Sequence, residues 1–405
     1  MPRLKIAAVV TEYRRYSHAQ HIIDRFLWGY GFNGRHHHPP MDVVSLYVDQ
    51  SSASDLSRER AKRFPSMKIY PSIAEALTRG GEKLDVDGVV LIGEHGTYPK
   101  NEKEQTLYPR YEFFKQIVDV YRDSGRTSPV FNDKHLSWKW EWALEMVETA
   151  AEMGFALMAG SSLPVTRRMP PVDLPFGAEV SEALCVAVGS IDSYDIHALE
   201  AIQCMVERRR GGETGVVSLQ ALRGDDVWKA LQAGSWDAGG WDPDLMEACL
   251  CRSHRLAQPR KGFNHIHPEL NQIRATHDRE NAEHPQNPVL YRYQHADGLK
   301  VSMLLIEGLV YDFTFAARLK GKPDPFSTQM FLPPREVCNF FSPLVNHMET
   351  LFVTGKSPYP IERTLLTTGL TAAGVESIWQ GQKRLETPHL AIRYQPTKES
   401  TFWRS

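Results

Sequence analysis

Short uninterrupted apolar runs alternate with longer amphipathic stretches through the first part of the chain. Lys5-Ile-Ala-Ala-Val-Val10 is such a run. A strand reads this way when it is buried on both faces of a parallel sheet. Thr11 to His18 then forms a turn, and an amphipathic run continues through Leu27. The pattern repeats with Asp42 to Asp49, with Ile69 to Leu77 (a strand and a helix) and with Val86 to Ile92. It continues with a helix over about 110–124, a strand at Val130-Phe131, a helix over about 137–153 and a strand from Phe155 to Met158. Strands alternating with helices predict an α/β unit with a Rossmann-like, doubly wound parallel sheet over residues 1–160. Trp28 to Pro40 is a Gly- and His-rich insertion within it.

The pattern changes near Gly160. Gly215 to Leu222, Val289 to Tyr293, Lys300 to Ile306 and Asp312 to Arg318 are longer apolar and aromatic runs that follow one another with turns such as Asp297-Gly298. Successive strands of this kind predict an α+β domain over 161–405 with a large, mainly antiparallel open sheet. Trp228 to His284 is polar and Gly-containing and reads as a helix with long loops. Helices are expected around Ser342 to Val353 and Ile361 to Gln380, packing back on this domain.

Composition narrows the class. The 405 residues exceed what one core usually covers, so two domains are expected. The formal charge of −2 gives no electrostatic footprint for nucleic acid or an anionic membrane. Five cysteines without paired C-x-x-C spacing indicate neither a disulfide framework nor a zinc knuckle, and fit a reducing, cytoplasmic setting. No run approaches the roughly 18 apolar residues that span a bilayer. An open sheet with an apolar outer face leads to the expectation of a homo-oligomer.

Several residues at strand ends carry candidate chemistry. Asp49 closes the second long strand, where a dinucleotide fold places the carboxylate for the adenosine ribose. Residues 11 to 22 contain no glycine, so bare backbone is not offered to a diphosphate, and Arg14 and Arg15 are the groups that can clamp phosphate instead. Thr11 in that turn and Glu94-His95 after another strand complete the candidate cofactor-binding set. Lys134, in Pro129-Val-Phe-Asn-Asp-Lys-His135, and His197, in Asp192-Ser-Tyr-Asp-Ile-His197, each stand where a strand hands over to a helix. A lysine in a dry cleft exchanges protons or polarises a carbonyl, and imidazole suits proton transfer near pH 7. Asp192 and Asp195 can fix the imidazole's tautomer. We expect Lys134 and His197 to face one cleft. His95, His265 and His267 are candidate ligands for a divalent metal, against the plainer reading of loop histidines.

The C-terminal run Pro343 to Pro360, then Leu365 to Ala373 and Glu376-Ser-Ile-Trp-Gln-Gly381, resembles the closing helix, "G-x-x-P" turn and "A-x-x-E-S-x-x-x-G" helix of the glucose-fructose oxidoreductase/inositol dehydrogenase (Gfo/Idh/MocA) family. Asn132-Asp-Lys134-His-Leu-Ser137 stands where that family has its Glu-Lys-Pro strand end, and Gly189 to Ala198 resembles its approach to the catalytic histidine. The first turn, His135 in place of proline, and Ser193 in place of a common aspartate depart from the family pattern. The resemblance implies that Lys134 and His197 are active-site residues, and Asp192 and Asp195, close to Ser193, are candidates to replace the family's aspartate. It further implies NAD or NADP as cofactor and a small carbohydrate-like substrate. Two alternatives stand beside this reading. One is a non-redox, metal-assisted lyase, hydratase or hydrolase using the same cleft. The other is a non-catalytic ligand-binding pseudo-oxidoreductase.

Overall fold

The computed structural model describes residues 2–253, 287–333 and 338–404. The chain forms two compact units, one of Met1–Val165 with Pro333–Thr368, the other of Thr166–Leu332 with Gly369–Arg404. The expected boundary at 160/161 therefore lies a few residues early, and the segment from Pro333 to Thr368 belongs with the first unit.

The first unit is built on β1 (Leu4–Val10), β4 (Met41–Val48), β5 (Lys68–Ile69), β6 (Gly88–Ile92), β7 (Val130–Asp133) and β8 (Leu157–Gly160). They lie in the order β5-β4-β1-β6-β7-β8, all parallel. That is the doubly wound order in which the chain reverses direction of travel between β1 and β6. Ile6 to Val10 and Val89 to Ile92 have no exposed surface, which is why their sequences carry no polar alternation. The helix Arg110–Ser124 buries Phe113, Phe114, Ile117, Val118 and Tyr121 along one face and stops at Gly125, whose φ of 61° is the left-handed cap. The Gly- and His-rich insertion is a hairpin, β2 (Tyr30–Phe32) against β3 (Arg35–His37). It docks on the helix Phe341–Thr354, with His37 Nε2 2.8 Å from Glu349 Oε2 and the Tyr30 hydroxyl donating to the same carboxylate.

The second unit carries β9 (Arg168–Met169), β10 (Val180–Ala187), β11 (Val216–Arg223), β12 (Val289–His295), β13 (Lys300–Leu305), β14 (Phe313–Leu319), β15 (Phe326–Met330) and β16 (Leu385–Glu386). They form one sheet ordered β16-β11-β12-β13-β10-β14-β15-β9, antiparallel except for the parallel pair β10 and β13. The mainly antiparallel sheet is the expected one; β9, β10, β15 and β16 are additional to the strands read from sequence.

Where one helix with long loops is expected from Trp228 on, the chain forms two helices, Asp225–Ala233 and Pro243–Arg252. Their residues Val227, Trp228, Leu231, Leu245, Met246, Cys249 and Leu250 share a core with Leu184, Val186, Leu290, Leu304 and Ala316 of the sheet. The chain's own helices thus cover these positions of β10, β12, β13 and β14. Trp228 and Trp241 belong to that core and Trp236 lies under the Arg292 guanidinium, so packing accounts for these tryptophans.

Candidate active site

In the first unit the candidates converge at the carboxyl ends of β1, β6 and β7. After β6 the chain passes Gly93, where a Cβ would lie 2.5 Å from Arg110 Cγ, so glycine alone lets the arginine cross at this point. Glu94 follows, its backbone oxygen accepting from the Thr11 hydroxyl at 2.6 Å. Thr11 is itself fully buried and also donates to Ile92 O, so it stitches the end of β1 to the turn that carries Glu94. His95 then takes φ of 70°. At the end of β7, Lys134 takes φ of 62°, its amide donating to Gly160 O at 3.2 Å, while Asn132 pins the turn through Asp133 O and His135 O. Left-handed backbone costs a non-glycine residue about 1–2 kcal/mol. Such strain persists where the surroundings impose it, as at functional turns.

These turns aim a chain of charges at one another. Lys134 Nζ donates to Glu94 Oε1 at 2.8 Å, Arg110 Nη2 donates to Glu94 Oε2 at 2.6 Å, and Arg110 Nη1 donates to His135 Nε2 at 3.2 Å. All four side chains are buried. Burial by itself pushes the Glu94 carboxyl up, but Lys134 and Arg110 override it and hold Glu94 well below the usual carboxylate range. Burial, then the Arg110 guanidinium, pushes His135 well below the usual imidazole value, so it is a neutral acceptor at Nε2. Its Nδ1 and the Arg110 Nε are buried without a partner.

A second pair adjoins the first. His18 is the first residue of the helix His18–Trp28, capped by the Ser17 side chain, and its Nδ1 lies 2.6 Å from Asp133 Oδ2. The His18 ring meets His95 edge-on at 5.3 Å and Phe341 edge-on at 5.0 Å. Burial, then His18, pushes His95 down to about 4.

The turn after β1 is folded on its own side chains. Its amides of Arg14 and Gln20 donate to Ser17 Oγ at 3.2 Å, and that of Tyr16 to Gln20 Oε1 at 2.6 Å. Tyr13 is buried, with its hydroxyl on Asp24 Oδ1 at 2.6 Å. Arg14 pairs with Glu12 at 2.8 Å, while Arg15 is exposed beside Tyr16. Asp49 is exposed at the end of β4 and accepts from the Tyr47 hydroxyl at 2.9 Å and the Tyr98 hydroxyl at 2.6 Å. This region thus offers an exposed carboxylate at Asp49 and guanidinium groups at Arg14 and Arg15, in place of the bare amides of a glycine turn.

The second unit holds the other candidates. His197 lies in the helix Asp195–Val206, half-buried, with its ring against Tyr194 at 5.9 Å and Phe313 at 6.3 Å. Asp195 is fully buried, its carboxylate taking the Tyr291 hydroxyl at 3.0 Å and the Ile196 amide at 2.9 Å. Burial raises its pKa against these hydrogen bonds. It therefore braces the start of the helix that carries His197. Asp192 takes φ of 60° in the turn that follows β10 and Gly189. Arg168 is tied to Asp173 and Arg167 lies over Trp403.

Among the described residues no group of three or more His, Cys, Asp and Glu side chains is placed to hold a metal ion. His265 and His267 lie outside the described residues. No helix of the described residues is long and apolar enough to cross a membrane. Sequence reasoning passed over His18, Asp133, Arg110 and His135. The available signal was position: Asp133 and His135 flank Lys134 at a strand end, and His18 follows a Ser N-cap.

No family model matches the chain, and no curated protein matches it. Solved structures do. The myo-inositol dehydrogenase of Lactobacillus casei, in complex with NAD(H) and myo-inositol, is 11% identical with a TM-score of 0.55, over 98% of this chain and 99% of that one. GenD2 of gentamicin A biosynthesis, in complex with NAD, is 12% identical with a TM-score of 0.55, over 95% and 97%. A probable dehydrogenase of Thermotoga maritima is 10% identical with a TM-score of 0.54, over 96% and 100%. At these identities the likeness is one of fold. It is the fold that the resemblance to the Gfo/Idh/MocA family implies.

Proposed function

We propose that this protein is an oxidoreductase of a small polyhydroxylated molecule, a sugar or cyclic polyol, with a nicotinamide dinucleotide as its hydride partner. The observation that carries the reading is the buried Lys134–Glu94–Arg110 array at the carboxyl ends of β6 and β7. It stands in a chain with the fold of dehydrogenases solved with NAD(H) and myo-inositol. Ligands of doubly wound sheets bind at these strand ends, beside the switch between β1 and β6.

Asp49 would hold the adenosine ribose, and Arg14 and Arg15 would meet the diphosphate, with Thr11, Glu94 and His95 forming the wall at the end of β6. The bound dinucleotide supplies the site that takes or gives the hydride. Lys134, fixed by Glu94, presents positive charge to a substrate oxygen as its hydroxyl proton leaves. His197, on a helix braced by Asp195 and approached through Asp192, is the proton-handling imidazole of the second unit. General acid–base groups of this kind contribute about 10²–10⁴-fold in rate.

A second reading rests on a specific observation. The amides of the first turn are taken by Ser17 and Gln20, and both Asp49 oxygens accept tyrosine hydroxyls. A chain that keeps those bonds would perform acid–base elimination, hydration or hydrolysis on the same substrate class without a dinucleotide.

Titration with NAD, NADH, NADP and NADPH, followed by nicotinamide fluorescence or calorimetry, separates the two. Binding that weakens at least tenfold in Asp49→Ala and in Arg15→Ala supports the first. Absence of binding to all four sinks it and leaves the second.

A further inference from the structure

The chain that leaves β6 is fastened to the end of β4 by three side-chain hydrogen bonds. Gln50 accepts the Thr97 amide on Oε1 at 2.8 Å and donates from Nε2 to Thr97 O at 3.1 Å, and the Tyr98 hydroxyl donates to Asp49 Oδ2 at 2.6 Å. Gly96 permits this close approach. Its φ is 96°, and a Cβ there would lie 2.9 Å from Tyr98 Cε2 and 3.0 Å from Gln50 Oε1. Beyond it the Leu107 amide donates to Pro99 O at 2.9 Å, and the Tyr98 ring meets Tyr108 edge-on at 5.6 Å. Residues 96–99 thus form a strap tied down across the carboxylate of Asp49.

The two tyrosines on Asp49 are held differently. Tyr47 lies on β4 itself, so the sheet fixes where its hydroxyl meets Oδ1 at 2.9 Å. Tyr98 reaches Oδ2 from the strap, and the strap can leave without disturbing a ladder. Among the described residues no other side chain bonds this carboxylate. Burial, then Asp49, pushes the Tyr98 phenol up, so it stays a neutral donor at any pH at which the fold is stable. A phenol on a carboxylate and a ribose hydroxyl on a carboxylate are bonds of one kind, each assisted by the acceptor's charge.

We propose that Tyr98 sets the affinity of the adenosine subsite: its hydroxyl holds the place on Asp49 Oδ2 that a ribose hydroxyl takes, and residues 96–99 lift when a dinucleotide binds. This rests on the dinucleotide reading above. One ribose hydroxyl joins Tyr47 at Oδ1 and adds a bond. The other replaces Tyr98 at Oδ2 and adds none, so the apparent affinity is lowered by the rarity of the open strap. The contact is an autoinhibitory one built into the fold, and it requires opposite effects from two neighbours: losing Asp49 weakens binding, losing the Tyr98 hydroxyl strengthens it.

The test uses the full chain. Tyr98→Phe keeps the ring against Tyr108 and removes the hydroxyl, and Gly96→Ala places a Cβ where the strap meets Gln50. Hydrogen exchange read by mass spectrometry follows the segment around Thr97, and calorimetry follows NAD, NADH, NADP and NADPH. Both variants should exchange that segment about tenfold faster and bind the preferred dinucleotide about tenfold tighter than the parent, since a bond to a charged acceptor no longer has to be exchanged. In an Asp49→Ala background Tyr98→Phe should bring no gain, because the two residues act as one pair. Parental exchange around Thr97 in Tyr98→Phe overturns the proposal. So does a parent that binds a dinucleotide as tightly as Tyr98→Phe does, and that result leaves the dinucleotide reading standing. Binding to none of the four by the parent and both variants sinks that reading and this proposal with it. Binding by Tyr98→Phe where the parent shows none supports both.

Discussion

Lys134 Nζ lies 2.8 Å from Glu94 Oε1, and the other oxygen of that carboxylate is 2.6 Å from Arg110 Nη2. One buried anion thus serves two buried cations, with His135 as a neutral neighbour. Glu94→Gln keeps the volume and removes the charge, leaving Lys134 and Arg110 inside the fold without compensation. Breaking a buried pair from one side costs about 3–5 kcal/mol. We expect the urea midpoint of the first transition to fall accordingly, and turnover to fall with it. An unchanged midpoint would show that the three groups are more solvated than this geometry indicates.

Two histidines make the first unit sensitive to mild acid. His21, stacked on Phe341 at 5.1 Å, is pushed down to about 3 by burial and then by His18, and His95 is pushed down to about 4. Their unfolded values lie near 6.5. Below that pH the unfolded chain takes protons that the folded one refuses, so stability is complete above about 6.5 and declines toward 4 and 3. The slope reaches about 1.4 kcal/mol per pH unit for each group. Glu94 acts in the same direction: its depressed value means its contribution is present above its unfolded value and lost only in stronger acid. Thermal melts at pH 7.5 and 5.0 should differ by several degrees, and His21→Gln should reduce that difference.

Gly374 lies against Tyr291, whose hydroxyl holds Asp195 at the start of the His197 helix. A Cβ at Gly374 would sit 2.1 Å from the ring. Gly374→Ala should therefore displace Tyr291 and cost at least about 1–3 kcal/mol, the range for overpacking a core. Tyr291→Phe removes only the donor to a buried carboxylate and should cost about 1–3 kcal/mol as well. Chemical denaturation measures both. In the Phe variant the His197 helix loses its brace while the core stays filled, so turnover should fall more than stability.

The parallel strands were legible because strands buried on both faces leave uninterrupted apolar runs, as Ile6 to Val10 do. Lys134 and Glu94 were each singled out, but in separate roles. Their pairing depends on which strands adjoin, and β6 beside β7 is a fact of sheet order that no local spacing records. His18 and Asp133 are 115 positions apart and carry no motif, so only the assembled strand ends bring them together. The helices Asp225–Ala233 and Pro243–Arg252 did leave a signal, apolar residues at 227, 228 and 231 and at 245, 246, 249 and 250. Gly234, Gly239 and Gly240 around them favour a single helix followed by long loops.

Those two helices cover apolar positions of the second unit's sheet. Leu184 and Val186 of β10, Leu290 of β12, Leu304 of β13 and Ala316 of β14 are buried in one core with Val227, Leu231, Trp241, Leu245, Met246 and Leu250. These positions of the sheet are therefore covered within the chain itself. Leu245 has no exposed surface, and burying a leucine contributes about 1.5–3 kcal/mol. Leu245→Asp replaces that with an unpaired buried charge, which is favourable only if the helix lifts away. We expect this variant to bind a hydrophobic dye and to associate in a concentration-dependent way by light scattering, while the parent's size through this face is unchanged with concentration. If Leu245→Asp keeps the parent's melting temperature and dye binding, the helix is not what covers the sheet.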